Sequence, residues 1–441
     1  MSARPHVVVV GSGFAGFHAA RTLERLLPAG AADLTIVSAT DHLCYSPLLP
    51  EVAAGRLDPR RIAIPLHSGL RRARILQGLV ESVDTATGTL DVACDLADPL
   101  VLPWDRLALT VGSVTRRLPT PGMADHALGL KTLVQAVYIR DHVLRQMEIA
   151  DATQDLAERR ARLTFVVVGA GYAGTETAAQ LQVMTHAQLD RFPRLRVEDV
   201  TWLLVDVAPA VLPELGPRLG RFALDEIRSR GMQVRLSTSV TDIAPDHVVL
   251  SDGQTIPCHT VLWTAGVTPP PLVGALGDAV ERGRLVVDAR LRVPGEDHVW
   301  AAGDAASAPD PFDDDHHAYP PTAQHAQRMG VVLAHNIAAS LGHGEPRDYR
   351  HHDLGLVADL GRRSAVARPL GVPLTGLPAK IVAKAYHLYA VPSMANRVRI
   401  AADWSLNLVS RPVPAQLGLV QPGQARFGRA EHTDPRGADV G

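Results

Sequence analysis

The chain has 441 residues, 46% hydrophobic and 20% charged, enough for roughly three domains with sizeable cores. A formal net charge of −2 and a 4% aromatic content exclude the basic field and stacking surfaces of a nucleic-acid binder. Three scattered cysteines (Cys44, Cys94, Cys258) form no C-x-x-C or C-x-x-x-x-C pair, which argues against a disulfide framework or zinc site and favours a reducing compartment.

From the N-terminus, residues 6–10 are a β-branched apolar run that predicts a buried strand; it stops at Gly11, too soon for a secretory core. The loop Gly11-Ser12-Gly13-Phe14-Ala15-Gly16 follows, then a helical pattern over 14–27 and a strand over 33–38. A G-x-G-x-x-G turn between strand and helix is a pyrophosphate cradle. Its first glycine makes the turn, the second admits the ligand, and the third lets helix and strand pack. The free N–H groups and positive dipole end of the helix then face the phosphates. Residues 41–70 are Pro-rich and read as irregular, 75–93 as strand material, and 104–113 as a buried strand ending at Gly112. A connection over 116–160 carries a long helical pattern from about 130 to 160.

The cradle then recurs. LTFVVVGAGYAG places Gly169, Gly171, Tyr172 and Gly174 in the same setting, within a βαβ unit over 163–206. Two cradles imply two dinucleotides on one chain. Asp206 ends the second strand of this unit, where an acid bonds a ribose 2′-hydroxyl and disfavours a 2′-phosphate; this favours NADH over NADPH. The first unit has Ser38 there, a neutral hydrogen-bonding group, with Asp41 three residues on. Strands are predicted over 232–236, 247–250 and 259–263, the last running into WTAGV with Ala265 and Gly266. Residues 286–306 return to buried-strand character around Gly303-Asp304, and a helix follows over 322–340. The tail from 421 lacks periodicity and reads as disordered. No stretch approaches the ~18 apolar residues of a spanning helix. The DDDHH run at 313–317 and His351-His352 carry metal-type side chains without ligand spacing; both read as solvated loops and no metal site is expected.

The Gly303-Asp304 pair, with LTVGS at 109–113 and WTAGV at 263–267, resembles the two-dinucleotide flavoprotein oxidoreductases. The resemblance implies that Asp304 holds the ribityl chain of FAD, that Gly112 lies near the flavin, and that Ala265 and Gly266 lie near the nicotinamide nucleotide. FAD then belongs on the first cradle (Gly11, Ser12, Gly13, Phe14, Ala15, Gly16, Ser38) and NADH on the second (Gly169, Gly171, Tyr172, Gly174, Asp206). Many members of that superfamily pass electrons to a C-x-x-x-x-C disulfide. Here the matching region offers Cys44 alone, so the flavin is expected to reduce its acceptor directly.

Three longer runs are similar to type II NADH dehydrogenases, the single-chain NADH:quinone oxidoreductases: YSPLLPEVAAGRLDPRRIAIPL (45–66), PPTAQHAQRMG (320–330) and HLYAVPSMANRVRIAADW (387–404). The resemblance extends from about residue 5 to 410. It implies a non-proton-pumping enzyme that moves a hydride from NADH to FAD and two electrons on to a membrane quinone. Ala323 and Gln324 match the family's AQ helix start beside the flavin ring, with Gln324 contacting flavin or quinone carbonyl. The family's second glutamine is replaced by Arg328, while Gln327 stands about 100° away around the helix. Arg328 is either a donor to a carbonyl or the mark of a different acceptor. Glu176 is a first-turn acid that a helix dipole stabilises by itself. It also matches a family residue near the flavin–nicotinamide junction implicated in quinone reduction, where quinol formation needs protons. Two alternatives stay open: a soluble FAD-dependent NAD(P)H reductase of an electron-transfer protein, and a redox-sensing NADH-binding flavoprotein.

The expected fold is α/β, with two Rossmann-like dinucleotide-binding domains, the second inserted in the first, and a C-terminal membrane-proximal region. The FAD-binding part covers 1–115 and 286–344, a connecting helical segment 116–160, the NADH-binding part 161–285, amphipathic helices 345–420, and a disordered tail 421–441. Between 377 and 411 five Lys or Arg residues stand against Asp403, a local +4. Ile381, Ala385 and Leu388 share one helical face with Lys380, Lys384 and His387 along its edge, and Ile400, Trp404 and Leu408 share another side. With the resemblance, this predicts peripheral docking on an anionic membrane surface, on the cytoplasmic face of the cell membrane. A homodimer is a further partner in view.

Overall fold

The computed structural model describes residues 4–94, 98–313 and 317–433. Strand β1 (His6–Val10) buries all four valines and feeds α1 (Phe14–Leu26). In the same sheet β2 (Asp33–Ser38) and β3 (Arg74–Gln77) extend one edge, and β4 (Arg106–Leu109) flanks β1 on the other, all in parallel. Strands of such sheets are covered on both faces and therefore read as unbroken apolar runs. The Pro-rich stretch between β2 and β3 holds the short helix α2 (Leu49–Ala53), whose Glu51 is buried.

The second sheet begins with β5 (Ala127–Gly129) and continues with β6 (Thr164–Val168), β7 (Thr201–Val205), β8 (Gln233–Arg235) and β9 (Thr260–Trp263), in the parallel order β5-β9-β6-β7-β8. Helix α3 (Leu133–Ala152) starts in a capping box of Thr132 and Gln135. The single helix predicted from about 130 to 160 is in fact two. Thr153 leaves the helical conformation, and Asp155 caps a new helix over Leu156–Arg162 by accepting from the Ala157 and Glu158 amides. Helix α4 (Tyr172–Gln188) follows β6.

Strand β10 (Val299–Ala301) returns to the first sheet beside β4, giving the order β10-β4-β1-β2-β3. The second sheet is thus inserted between two neighbouring strands of the first. Helix α5 (Ala323–Ser340) crosses α1 so closely that a Cβ on Gly330 would lie 2.2 Å from the Ala15 carbonyl oxygen. A small antiparallel sheet follows, β11 (Val357–Asp359), β12 (Ala365–Ala367) and β13 (Leu374–Thr375), with two helices, α6 (Gly376–Ala390) and α7 (Met394–Val409). Among the described residues no helix is long and apolar enough to cross a membrane.

The tail expected to be disordered from 421 is instead packed as far as 433. Single helical turns at Pro422–Ala425 and Phe427–Ala430 bury Phe427 in the core of the second sheet. A turn of four residues is too short to express a helical period, and one buried aromatic suffices to anchor it. Residues 434–441 lie outside the described residues, as do 314–316 within the run at 313–317.

Candidate active site

Gly11 ends β1 at φ +96°, and a Cβ there would lie 2.5 Å from the Thr110 carbonyl oxygen. A Cβ on Gly16 would stand 1.8 Å from the Gly11 oxygen, so helix and strand touch through bare backbone. Gly13 differs: nothing lies within 4 Å of its Cβ position. As the N-cap of α1 it carries no side chain to bond the first-turn N–H groups, which are left for a ligand. Around it opens a cavity of about 610 Å³, within the usual range of cofactor sites.

Of the residues expected to hold FAD, Gly11, Ser12, Gly13, Phe14, Ala15, Ser38, Gly112, Asp304 and Ala323 line this cavity; Gly16 lies under the loop. Asp304 accepts a hydrogen bond from Ser113 Oγ at 2.6 Å, and Lys131 Nζ donates to the same hydroxyl at 2.9 Å. Ser38 Oγ bonds Ser12 Oγ at 2.6 Å and the Thr40 carbonyl at 2.7 Å. Asp41 does not reach round: its exposed carboxylate sits 2.8 Å from His42 Nδ1, and Glu81 lines the cavity instead. The open backbone, the uncapped helix start and the Asp304 carboxylate together fit FAD. Sequence reasoning missed Glu81, Lys131 and the segment Ala430–Thr433, all in the cavity wall. Glu431 ties that segment down by accepting from Thr115 Oγ1 at 2.7 Å and Gln135 Nε2 at 2.9 Å. Nothing in the local sequence around 430 signals this.

The second loop repeats the construction. Gly169 has φ +108°, a Cβ on Gly174 would lie 1.8 Å from the Gly169 oxygen, and Gly171 again faces open space. Asp206 follows β7; its carboxylate accepts from the Ala208 amide at 2.7 Å and from the amide of Ala170 inside the loop. Ala265 and Gly266 follow β9, where Thr264 Oγ1 donates to the Val168 carbonyl at 2.8 Å. The Tyr172 hydroxyl is buried with no partner among the described residues, and burial followed by the charge of Glu214 raises its pKa.

Helix α5 leaves the first cavity in two directions. Ala323 and Ala326 line the cavity, whereas the Gln324 side chain turns to the segment 351–354. Its carbonyl accepts from the Leu354 amide at 3.0 Å and sits 3.1 Å from His351 Nε2, and its amide donates to Asp353 at 3.3 Å. Arg328 donates to the Gln324 main-chain oxygen at 3.1 Å. His351, expected in a solvated loop, is therefore a partner of Gln324; burial, then Arg328 and His325, push its pKa down to about 4. Asp353 is held below the usual carboxylate range by the His325 ring, whose Nε2 lies 2.9 Å from it.

Glu176 accepts the Asp359 amide at 2.6 Å, and burial, reinforced by the charges of Asp359 and Glu51, pushes its pKa up to about 8. Asp359 goes the other way: burial would raise it, but Lys380 and Lys384 hold it down. Lys380 pairs with Asp359. Lys384 pairs with Glu51, lies 3.5 Å from Asp359, and sits 4.0 Å over the Trp404 ring. Trp404 Nε1 in turn donates to Glu51 at 2.8 Å. His387 bonds Tyr45 Oη at 3.1 Å, and burial pushes it down to about 4.

Lys380, Lys384 and His387 are thus not the edge of a docking face, and Ile400 and Trp404 do not point outward. Two buried carboxylates, Glu51 and Asp359, need partners, and α6 turns both its lysines inward to supply them. Ile400 is fully buried. The outward apolar row is Leu377, Ile381 and Tyr389 on α6, continued by Met394, Val398, Leu406 and Val409 on α7.

A family model of pyridine nucleotide-disulphide oxidoreductases matches residues 5–330. The chain is 31% identical to a type II NADH:quinone oxidoreductase of Mycobacterium tuberculosis over 427 residues, covering 92% of this chain and 88% of that one. It is 26% identical to the type II NADH:quinone oxidoreductase of Staphylococcus aureus, covering 88% and 95%. Its fold is similar to the structure of NDH2 from Plasmodium falciparum in complex with NADH, with a TM-score of 0.85 at 17% identity, covering 93% of this chain and 99% of that one.

Proposed function

The chain belongs to the type II NADH:quinone oxidoreductases, within the pyridine nucleotide-disulphide oxidoreductase family, and from that premise we propose that it oxidises NADH and reduces a membrane quinone without pumping protons. The observation that carries this reading is the position of α5. Its first turns line the FAD cavity through Ala323 and Ala326, the same turns carry Gln324 to the segment 351–354, and the charge of Arg328 acts on His351 and Asp353 of that segment. An acceptor held against that segment needs no relay, and the chain has no cysteine pair to provide one.

From bound FAD come the hydride acceptance and electron release that no side chain performs. The protein's own residues position and protonate. Gly13, Ser38 and Asp304 hold the flavin nucleotide, and Gly171 and Asp206 orient NADH. Arg328 donates to an acceptor carbonyl. Glu176 keeps its proton at neutral pH because of its buried setting, and supplies it to the quinol oxygen. Asp359 stays ionised between its two lysines and keeps Glu176 from sharing its charge. The outward apolar row of α6 and α7 seats the protein peripherally on the inner face of the cell membrane.

Rapid mixing tests the reading. NADH should bleach the flavin absorbance of the purified protein faster than NADPH does, and ubiquinone or menaquinone analogues should restore it. Protein purified without stoichiometric FAD, or a flavin that no quinone reoxidises, overturns it.

A further inference from the structure

Beside the outward apolar row lies a cleft of about 640 Å³, between α1, the residues before β3, and the start of α7. Arg21, Arg25, Arg71 and Arg72 line it, with Met394 at its α7 edge. Its acid is already committed: the Glu24 carboxylate accepts the backbone N–H groups of Arg71 at 2.9 Å, Arg72 at 2.7 Å and Ala73 at 2.8 Å. Arg72 donates to the carbonyl oxygens of Glu24 and, at 2.9 Å, Leu27, and Arg21 donates to the Pro392 oxygen at 3.5 Å. Among the described residues none of the four guanidinium groups forms an ion pair with a carboxylate.

The like charges act on one another. Burial, then Arg25 and Arg397, lower the pKa of Arg21, and burial with Arg21 and Arg25 pushes His18 down to about 4. A chain with a net charge of −2 therefore gathers unbalanced positive charge next to its exposed apolar row, where Met394 and Val398 are 68% and 62% exposed. Guanidinium groups match phosphate oxygens in bidentate geometry. We propose that this cleft binds the phosphate of an anionic phospholipid headgroup, with the lipid's acyl chains lying along the row that begins at Met394. The apolar edge is what selects a lipid over a soluble phosphate. The proposal rests on the membrane-docking part of the proposed function and adds a defined headgroup site to it.

The test is vesicle flotation of the FAD-containing full chain, using phosphatidylcholine alone or mixed with phosphatidylglycerol. Wild type should prefer the anionic vesicles. The combined variant Arg21→Gln, Arg25→Gln, Arg71→Gln should lose that preference, roughly fivefold per charge, while binding to phosphatidylcholine, the melting temperature and NADH oxidation with a soluble quinone stay unchanged. A control variant, Arg399→Gln, removes an exposed charge of α7 outside the cleft. If it costs as much per charge as the cleft arginines, the attraction is diffuse and the site is overturned. Calorimetric titration of wild type with inorganic phosphate separates the sources: tight binding without vesicles, abolished in the triple variant, overturns the lipid assignment. Wild type that floats equally with both vesicles overturns the headgroup site and leaves docking intact; wild type that floats with neither overturns both.

Discussion

The two glycine loops share a backbone and differ at the end of one strand. In each, the third glycine would place a Cβ 1.8 Å from the carbonyl of the first, and the second glycine faces open space. In each, a threonine at the end of a neighbouring strand bonds the last strand residue before the loop, Thr110 to Val10 at 2.7 Å and Thr264 to Val168 at 2.8 Å. The strand-end partners differ as a pair. Ser38 meets the Ser12 hydroxyl in the first loop, whereas the Asp206 carboxylate takes the Ala170 amide in the second. Two residues past the third glycine stand His18 and Glu176. Burial holds both neutral, the histidine by lowering its pKa to about 4 and the acid by raising its pKa to about 8. The two loops thus share their backbone construction and differ in the side chains around it, and on the proposed function the backbone is the common phosphate grip while those side chains tell the nucleotides apart.

The largest expected effects come from filling one loop at a time. Gly13→Val should give folded protein that purifies without flavin absorbance, because its new side chain occupies only ligand space. Gly171→Val should keep its flavin, reducible by dithionite, yet lose NADH-driven reduction by at least about 100-fold, the cost of a lost charged-ligand site. If both variants keep FAD and NADH reduction, the loops do not hold the nucleotides. Asp206→Ala should raise the KM for NADH by roughly 10-fold or more and narrow the preference over NADPH, whereas Ser38→Ala should leave the NADH KM unchanged; steady-state kinetics with both cofactors decides.

Glu176→Gln addresses the proton. The rate with quinone should fall by about 100-fold, and the decline of the wild-type rate above about pH 8 should disappear from the variant's profile. The stability signature has the opposite sign. Folded Glu176 is neutral up to about pH 8, while in the unfolded chain it ionises above its ordinary 4.5. Folding therefore takes up a proton between those values, and stability falls as pH rises through that window. The Tm of the glutamine variant should gain on wild type from about pH 5 to 8 and level off above. A constant difference would mean that burial does not hold the proton. The smallest effect is expected from Glu431→Ala, which unties the C-terminal segment from the first cavity and has no counterpart at the second loop. Its Tm should drop by roughly a few °C and its FAD dissociate a few-fold faster, measured by fluorescence.

What the sequence determined by itself is short-range. The two strand–glycine–helix units, the β2 end at Ser38, the helix from Ala323 and the acid at Asp206 each depend on a spacing of a few residues, and each stands where that spacing puts it. Tertiary structure alone decided which way the C-terminal helices face. Helix α7 has apolar residues on both sides, so its own pattern does not choose between Ile400 with Trp404 and Met394 with Val398. Glu51 makes the choice, because a buried carboxylate must be paired, and it takes Lys384 and Trp404 from 333 and 353 positions away. The same long-range bonding turned Gln324 towards His351 and clasped Glu431 over Gln135. Local periodicity carries no record of such partners, since the energy that selects them exists only once the chain has brought them together.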